Sequence, residues 1–376
     1  MSAEVIVYVG ALQLMLDLGL DIIAVRRIAS GRSSAKTVCQ ALFTLRLLLV
    51  GICSLLWLLV AGLGMSEGEL RVVWMLGAGY LFSTSLGYFW YFQAAKKVPQ
   101  LSMIQAGIGI GSSYLFIYFF QPGMPAGSDL LVMILVQGVL NSGAWLWIRN
   151  DADCRLIDFS AIRMALELFK EGVASWFFNL SYYGLSNLGI PFCGWLLSRY
   201  DAGQYRAAAA FVASMQLFLT YLSFMLNPKI VEWRQTVPDK LVGRCLAVVA
   251  LLMVAGLLAF GATWWMREWI TELIFGPEFL PSADVLPALV LGKFFAVASG
   301  VLCWAFFADH KNWWPGLCCW PPICVAVMAY HWILPKYGLS AAGWATLVGE
   351  TALLLCCLFA VSRLNPTEQS FDEESS

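Results

Sequence analysis

Five charged residues stand within otherwise apolar stretches of the sequence. Arg46 and Lys293 are basic, whereas Asp17, Asp21 and Glu350 are acidic. A charge at the centre of a membrane-spanning helix costs about 2.5–3.5 kcal/mol on insertion scales, so it normally faces a cavity or an oppositely charged partner. We therefore expect these five side chains to lie inside a helical bundle, where they line a wet cavity or pair with one another.

Two kinds of chemistry suit these residues. Arg46 and Lys293 are candidates for binding an anionic group, because arginine offers a planar fork to phosphate oxygens and lysine a point charge. The alternative is that Arg46 extends to the membrane interface and that Lys293 pairs with an acid. Asp17, Asp21 and Glu350 are candidates for ion coupling, because burial favours a protonated carboxylate. Their alternative is pairing with Arg46 or Lys293 or, for Asp21, exposure at the interface.

A polar segment near residue 180 adds neutral hydrogen-bonding groups. Asn179, Tyr183 and Asn187 lie there, and they either line a wet cavity or bond one helix to another. Chemistry based on metals or histidine is poorly supplied, because the chain has 2 His and 11 Cys with no C-x-x-C pair. We predict no metal site, no cofactor and no catalytic residue.

The elements that must hold these residues are membrane helices. Apolar residues make up 60% of the 376 residues, charged residues 12%, and the mean hydropathy is +0.74. A soluble domain carries about 25% charged residues. The composition therefore excludes a soluble enzyme, a nucleic-acid binder and a disordered chain. Continuous apolar runs, rather than alternating ones, also exclude a transmembrane β-barrel. The sequence predicts an all-α, polytopic membrane protein.

Eleven spans follow from the length and polarity of the apolar runs. They are predicted at Val5–Ala24, Val38–Gly62, Val72–Phe92, Leu101–Phe120, Leu130–Ile148, Val173–Leu197, Ala207–Leu226, Leu241–Trp265, Leu286–Phe307, Leu317–Leu334 and Leu339–Val361.

The connections between these spans alternate in their content of lysine and arginine. One alternate set holds 16 of the 23 basic residues, and the other holds 5. Cytoplasmic loops carry an excess of Lys and Arg. We therefore expect the first set, including the C-terminus, in the cytoplasm and the N-terminus outside.

Two segments of the chain resemble each other and suggest an internal repeat. Residues 87–97 and 300–311 each combine a glycine, aromatic residues and a basic end. Spans one to five then match the last five spans of a six-helix half, which predicts two lobes in a 12-helix plan that lacks its first helix. The predicted parts are an N-terminal lobe of five helices at 1–150, an amphipathic interfacial linker at 151–171, a C-terminal lobe of six helices at 172–363 and a disordered cytoplasmic tail at 364–376.

Four short motifs in order along the chain carry a family resemblance. They are the run from Asp17 to Ala29, the stretch Trp90–Gln93 with the following lysines, the turn from Ala202 to Ala208, and Phe275–Phe279. On these motifs the sequence resembles the polysaccharide exporters, the Wzx-type flippases of the multidrug/oligosaccharidyl-lipid/polysaccharide superfamily.

This resemblance implies a multi-pass flippase of the bacterial inner membrane, not an enzyme. Its substrate would be an undecaprenyl-pyrophosphate-linked oligosaccharide repeat unit of O-antigen, capsule or exopolysaccharide, moved by alternating access. Arg46 and Lys293 would bind the pyrophosphate, and Arg26 and Arg27 would form a cytoplasmic collecting patch. Sugar hydroxyls would bond to the polar residues Asn179, Tyr183 and Asn187. The implied partners are the lipid-linked oligosaccharide, membrane lipid, and polysaccharide polymerase and chain-length proteins, with no nucleic acid.

Three other functions remain open at this stage. One is an ion-coupled multidrug exporter of the same superfamily, which would favour a cavity dominated by carboxylates. A second is a membrane glycosyltransferase or polymerase of the same pathway, although the longest outer connection is short and contains no histidine. The third is an inactive paralogue without the first helix.

Overall fold

The computed structural model describes residues 2–64, 68–119, 127–155, 157–308 and 313–362, and its regular elements there are all helical. The α-helices of these residues are α1 (Ser2–Asp17), α2 (Leu20–Ala29), α3 (Ala35–Gly64), α4 (Gly68–Ser85), α5 (Phe89–Ala94), α6 (Val98–Phe119), α7 (Ser128–Asp151), α8 (Ile162–Asn187), α9 (Gly189–Leu196), α10 (Arg199–Thr236), α11 (Leu241–Phe275), α12 (Leu286–Ala308), α13 (Trp313–Tyr337) and α14 (Ser340–Val361). Short 3₁₀ turns precede α8, α11 and α12. The all-α, polytopic fold class is confirmed.

Every predicted span falls on one or two of these helices. Eight segments of the described residues are long and apolar enough to cross a membrane. The other three predicted spans correspond to α6, to α8 with α9, and to α10. The count of eleven and the sidedness of the spans remain predictions. The turn at 121–126, His310 and Lys311, Arg363 and the tail at 364–376 lie outside the described residues.

The helix is interrupted within three of the predicted spans. The first break separates α1 from α2, the second separates α4 from α5, and the third lies at Leu188. At the first break, Leu18 and Gly19 adopt left-handed backbone angles, with φ of 50° and 68°. A Cβ atom on Gly19 would lie 2.3 Å from the backbone nitrogen of Trp176 in α8. Only glycine allows this approach, and no local sequence period reveals it.

The segment predicted as an amphipathic interfacial linker, 151–171, is not one helix from its start to its end. Asp158 Oδ1 accepts a hydrogen bond from the backbone N–H of Ser160 at 3.0 Å, a 3₁₀ turn follows, and α8 starts at Ile162. From there α8 runs unbroken to Asn187, so no separate linker helix forms. Gly172 lies within α8, where a Cβ atom would be 2.5 Å from the carbonyl oxygen of Leu18.

The chain divides into two compact units, residues 1–176 and 177–376, which we call unit 1 and unit 2. In unit 1, α1, α3, α4 and α7 pack around a core that includes Val5, Val50, Val73, Leu81 and Leu130. In unit 2, α12 packs against α10, α11 and α14. The most apolar stretch of α12 is 89% buried, compared with 22% for that of α11, so α12 is the central helix of unit 2.

Candidate functional site

A buried arginine in unit 1 contacts two carboxylates and a backbone carbonyl. Arg46 of α3 is 2% exposed. Its Nη2 atom lies 2.9 Å from Oδ1 of Asp17 and 2.5 Å from Oδ1 of Asp21, and its Nη1 atom donates to the carbonyl oxygen of Gly87 at 2.6 Å. We call these four residues the Arg46 cluster. The sequence predicted three of them separately, and the structure brings them together.

Helix breaks create the Arg46 cluster. Asp17 ends α1 and Asp21 lies in the first turn of α2, so the two residues belong to different helices although only four positions separate them. Their carboxylates converge because the chain turns at Leu18 and Gly19 between them. Gly87 lies in the break between α4 and α5, where a carbonyl oxygen is not committed to a helical hydrogen bond. Nothing in the local sequence indicated that Gly87 is an acceptor.

The Arg46 cluster joins a buried guanidinium to two partly exposed carboxylates. The side chains of Asp17 and Asp21 keep 22% and 31% of their surface exposed. Removing one partner from a buried ion pair is costly, because it leaves an uncompensated charge. The Arg46 cluster therefore stabilises the junction of α1, α2, α3 and α4.

The two predicted collecting arginines are also paired in unit 1. Arg26 Nη2 lies 2.9 Å from Oε2 of Glu171, and Arg27 Nη2 lies 2.5 Å from Oε1 of the same residue. Burial by itself would raise the pKa of Glu171, but the hydrogen bond and charge of Arg27, together with Arg26, outweigh burial and hold that pKa below its ordinary value. This clamp joins the last turn of α2 to α8. A collecting role for the two arginines stays a prediction.

Unit 2 contains a buried carboxylate of a different kind. Glu350 of α14 is 1% exposed, and its Oε1 atom accepts a hydrogen bond from the hydroxyl of Ser186 in α8 at 3.0 Å. Its Oε2 atom is buried and has no hydrogen-bond partner among the described residues. Lys293 of α12 interacts with Glu350 electrostatically but forms no ion pair in the described part of the chain. We call Glu350, Ser186 and Lys293 the Glu350 cluster.

The polar face of α8 is only partly the one predicted. Asn187 is exposed and donates from Nδ2 to the carbonyl oxygen of Tyr183, one turn earlier on the same helix, at 2.9 Å. Tyr183 is 45% exposed. Ser186, rather than either of these residues, reaches Glu350. Asn179 precedes Ser186 by seven residues and therefore shares its face of α8. This spacing was the sequence signal that could have placed Ser186 on the same polar face as Asn179.

A hydroxyl cluster lies one turn from Glu350 on the same face of α14. The hydroxyl of Thr346 lies 2.9 Å from that of Tyr205 and 2.6 Å from that of Tyr330, and all three residues are buried. These residues join α10, α13 and α14 and extend the polar interior of unit 2. The sequence prediction missed them, because each is a single hydroxyl within an apolar stretch.

Among the described residues, no group of three or more His, Cys, Asp or Glu side chains could hold a metal ion.

The fold has close counterparts among solved structures. No protein-family profile matches the chain, and no curated protein matches its sequence. The MATE transporter VcmN of Vibrio cholerae is 15% identical with a TM-score of 0.67, and the match covers 96% of this chain and 89% of that one. The fold is that of the MATE transporters.

Two further counterparts show how widely this fold is shared. An outward-facing multidrug resistance MATE family transporter of the MOP superfamily is 13% identical with a TM-score of 0.70, covering 96% of this chain and 87% of its own. A MOP superfamily transporter from Pyrococcus furiosus, described as having a binding pocket of reverse polarity, is 13% identical with a TM-score of 0.70. That match covers 95% of this chain and 86% of the other chain.

Proposed function

We propose that this chain is a membrane transporter and that it flips a lipid-linked oligosaccharide across the inner membrane. The observation that carries the transporter assignment is the MATE fold, which extends over about 95% of the chain. The four sequence motifs of the polysaccharide exporters support the substrate class. The buried charges of the two units support a path for a charged substrate, because charges inside a membrane protein normally mark such paths.

Arg46 is the residue that we assign to the anionic head of the substrate. Its guanidinium faces two carboxylates, and a pyrophosphate presents oxygens of the same kind to the same planar fork. Phosphate oxygens of the substrate would replace the carboxylates of Asp17 and Asp21 as partners of Arg46. The guanidinium would then have an anionic partner both before and after the substrate binds. Protonation of the two aspartates would favour this exchange, and transport would then be coupled to protons.

Lys293 and Glu350 have a parallel assignment in unit 2. Lys293 lacks a direct carboxylate partner in the described residues, so its charge is available to an anion. The partnerless oxygen of Glu350 is available to a proton or another cation. We assign Lys293 to substrate binding and Glu350 to ion coupling.

The experiment is to measure which leaflet holds the lipid-linked sugar in cells lacking this gene. Inside-out and right-side-out vesicles are probed for the oligosaccharide-lipid, and surface polysaccharide is scored in parallel. We expect accumulation on the cytoplasmic leaflet and loss of surface polymer, both restored by the intact chain and by Arg163→Ala. Arg163 is the matched control, because its side chain is 94% exposed. Arg46→Ala, present in the membrane at a normal level, should not restore either. Normal export by Arg46→Ala would refute its assignment.

An ion-coupled multidrug exporter is the second candidate. The Arg46 cluster includes two partly exposed carboxylates, and carboxylates suit a cationic substrate. Unchanged lipid-linked sugar together with altered drug susceptibility in the same deletion strain would favour this second function.

A further inference from the structure

A polar cavity in unit 1 lies apart from the Arg46 cluster, where α3 begins and α7 ends. Its volume is about 560 Å³. Lys36 and Gln40 line it from α3, whereas Arg149 and Arg155 line it from the end of α7 and the loop that follows. Both connections belong to the set rich in lysine and arginine that the sequence predicts to be cytoplasmic.

The walls of this cavity are held in place by specific contacts. Lys36, Gln40 and Thr44 follow one another at four-residue spacing and share one face of α3. The Thr44 hydroxyl accepts a hydrogen bond from the backbone N–H of Asp158 at 3.0 Å, which fixes the loop against α3. At the other end of the loop, the N–H of Cys154 donates to the carbonyl of Arg149 at 3.1 Å. Hydrogen bonds therefore hold the described residues of this loop on both sides of position 156.

The arginines of the cavity form no close ion pair with its acidic residues. Oδ1 of Asp158 accepts hydrogen bonds from both the N–H and the hydroxyl of Ser160, at 3.0 and 2.5 Å. Asp153 is fully exposed and lies 3.7 Å from the ammonium of Lys36. Arg155 interacts with Asp158 electrostatically, but in the described part of the chain neither Arg149 nor Arg155 forms an ion pair. Both guanidinium groups therefore keep hydrogen-bond donors for a ligand.

Gln40 adds a neutral polar group to the wall of the cavity. It is 8% exposed and lines the cavity, and its side chain forms no hydrogen bond with another described residue. Its amide atoms are not among the buried atoms without a partner, so they are accessible from the cavity. The amide is therefore able to donate a hydrogen bond to a ligand.

We propose that this cavity is a binding site for a phosphate group. Arg149 and Arg155 offer forked donors to phosphate oxygens, Lys36 adds a positive charge, and Gln40 adds an amide donor. The phosphate belongs either to the head group of an anionic membrane lipid, since lipid phosphates lie at the level of the helix ends, or to a free phosphate from the cytoplasm. This site is separate from the buried clusters assigned to transport, so it does not depend on the proposed function.

The test measures retention of phosphatidylglycerol by the purified full chain, with native mass spectrometry after delipidation and controlled addition of lipid. We expect the double variant Arg149→Gln, Arg155→Gln to bind phosphatidylglycerol about tenfold more weakly, as expected for loss of charge-assisted hydrogen bonds. The matched control is Arg163→Gln, Lys170→Gln, which removes two exposed charges of α8 outside the cavity. Thermal unfolding of each variant confirms that it is folded, and Lys36→Gln serves as a milder second variant.

Inorganic phosphate distinguishes the two sources of the ligand. Displacement of the lipid by millimolar phosphate would assign recognition to the phosphate alone, whereas retention would assign it to the lipid head group with its chains. Equal binding by the intact chain and by both cavity variants would overturn the proposal. Equal weakening by the α8 control would also overturn it, because any surface cation would then be sufficient.

Discussion

The two buried clusters differ in how their charges are paired. In unit 1, the guanidinium of Arg46 is in direct contact with two carboxylates and a carbonyl, and the carboxylates remain partly exposed. In unit 2, the carboxylate of Glu350 is fully enclosed, is bonded through one oxygen only, and forms no ion pair with Lys293 among the described residues. The Arg46 cluster therefore holds helices together through contacts that are already made, whereas the Glu350 cluster retains an oxygen that can take up a proton or a cation.

This difference predicts that the two clusters contribute differently to stability. Mutations in unit 1 should lower the free energy of unfolding because they break contacts already made. Substitution of Glu350 should change transport with little effect on unfolding. The following predictions run from the largest expected loss of stability to the smallest, and each change in stability is measured on the purified chain in lipid discs.

Arg46→Ala should give the largest loss of stability. It leaves two adjacent carboxylates and the carbonyl of Gly87 without their donor, and breaking a buried ion pair costs about 3–5 kcal/mol. We expect a value near the lower end, because the aspartates are partly exposed. Thermal unfolding gives the change. Arg46→Lys should recover only part of it, since an ammonium cannot reproduce the guanidinium fork. Full recovery would mean that charge alone matters.

Gly19→Ala should follow, because the break between α1 and α2 depends on a residue without a side chain. The new Cβ would overlap the backbone of α8, and left-handed backbone costs an alanine about 1–2 kcal/mol by itself. We expect a total loss of roughly 2–3 kcal/mol, with the overlap added to the backbone penalty. Gly31→Ala is the control, because Gly31 is also left-handed but has open space around it. Equal losses would show that the contact with α8 is unimportant.

Glu171→Gln should cost less than Gly19→Ala, because this carboxylate is 37% exposed and the amide oxygen of glutamine can still accept a hydrogen bond from Arg26 or Arg27. The depressed pKa of Glu171 also sets the sign of its pH dependence. Its stabilising effect is present above the ordinary glutamate pKa and is lost as pH falls through the lower value of the folded state. Unfolding measured between pH 7 and pH 3 should therefore show a smaller acid-induced loss in the variant. An unchanged pH profile would argue against the clamp.

Glu350→Gln should have the smallest effect on stability of the four, because glutamine has nearly the same shape and can still accept the hydrogen bond from Ser186. Transport should nevertheless fall strongly, because the ionisable oxygen is lost. Transport is scored by restoration of surface polysaccharide, and Thr351→Val on the same helix is the control, since its hydroxyl bonds only to the carbonyl of Leu347. Normal transport by Glu350→Gln would refute the assignment of Glu350 to ion coupling.

Hydropathy and charge determined the elements of this protein to a large extent. The central helix was predicted at Leu286–Phe307 and is observed at Leu286–Ala308, because a helix buried on all sides needs a continuous apolar run. The cost of charges within such runs also predicted that Arg46 and Glu350 lie inside the protein, where each is at most 2% exposed. These properties depend on the type and local order of residues.

The tertiary structure alone decided how these elements break and which charges meet. The chain turns at Gly19, where the backbone of Trp176 leaves no room for a side chain. Trp176 lies far along the sequence, so local spacing does not predict the turn. On α8, helical spacing did not decide whether Ser186 or Tyr183 faces the interior. The packing of the helices places Ser186, and not Tyr183, against Glu350. Pairing depends on distances between helices, and helix periodicity describes only the arrangement of residues within one helix.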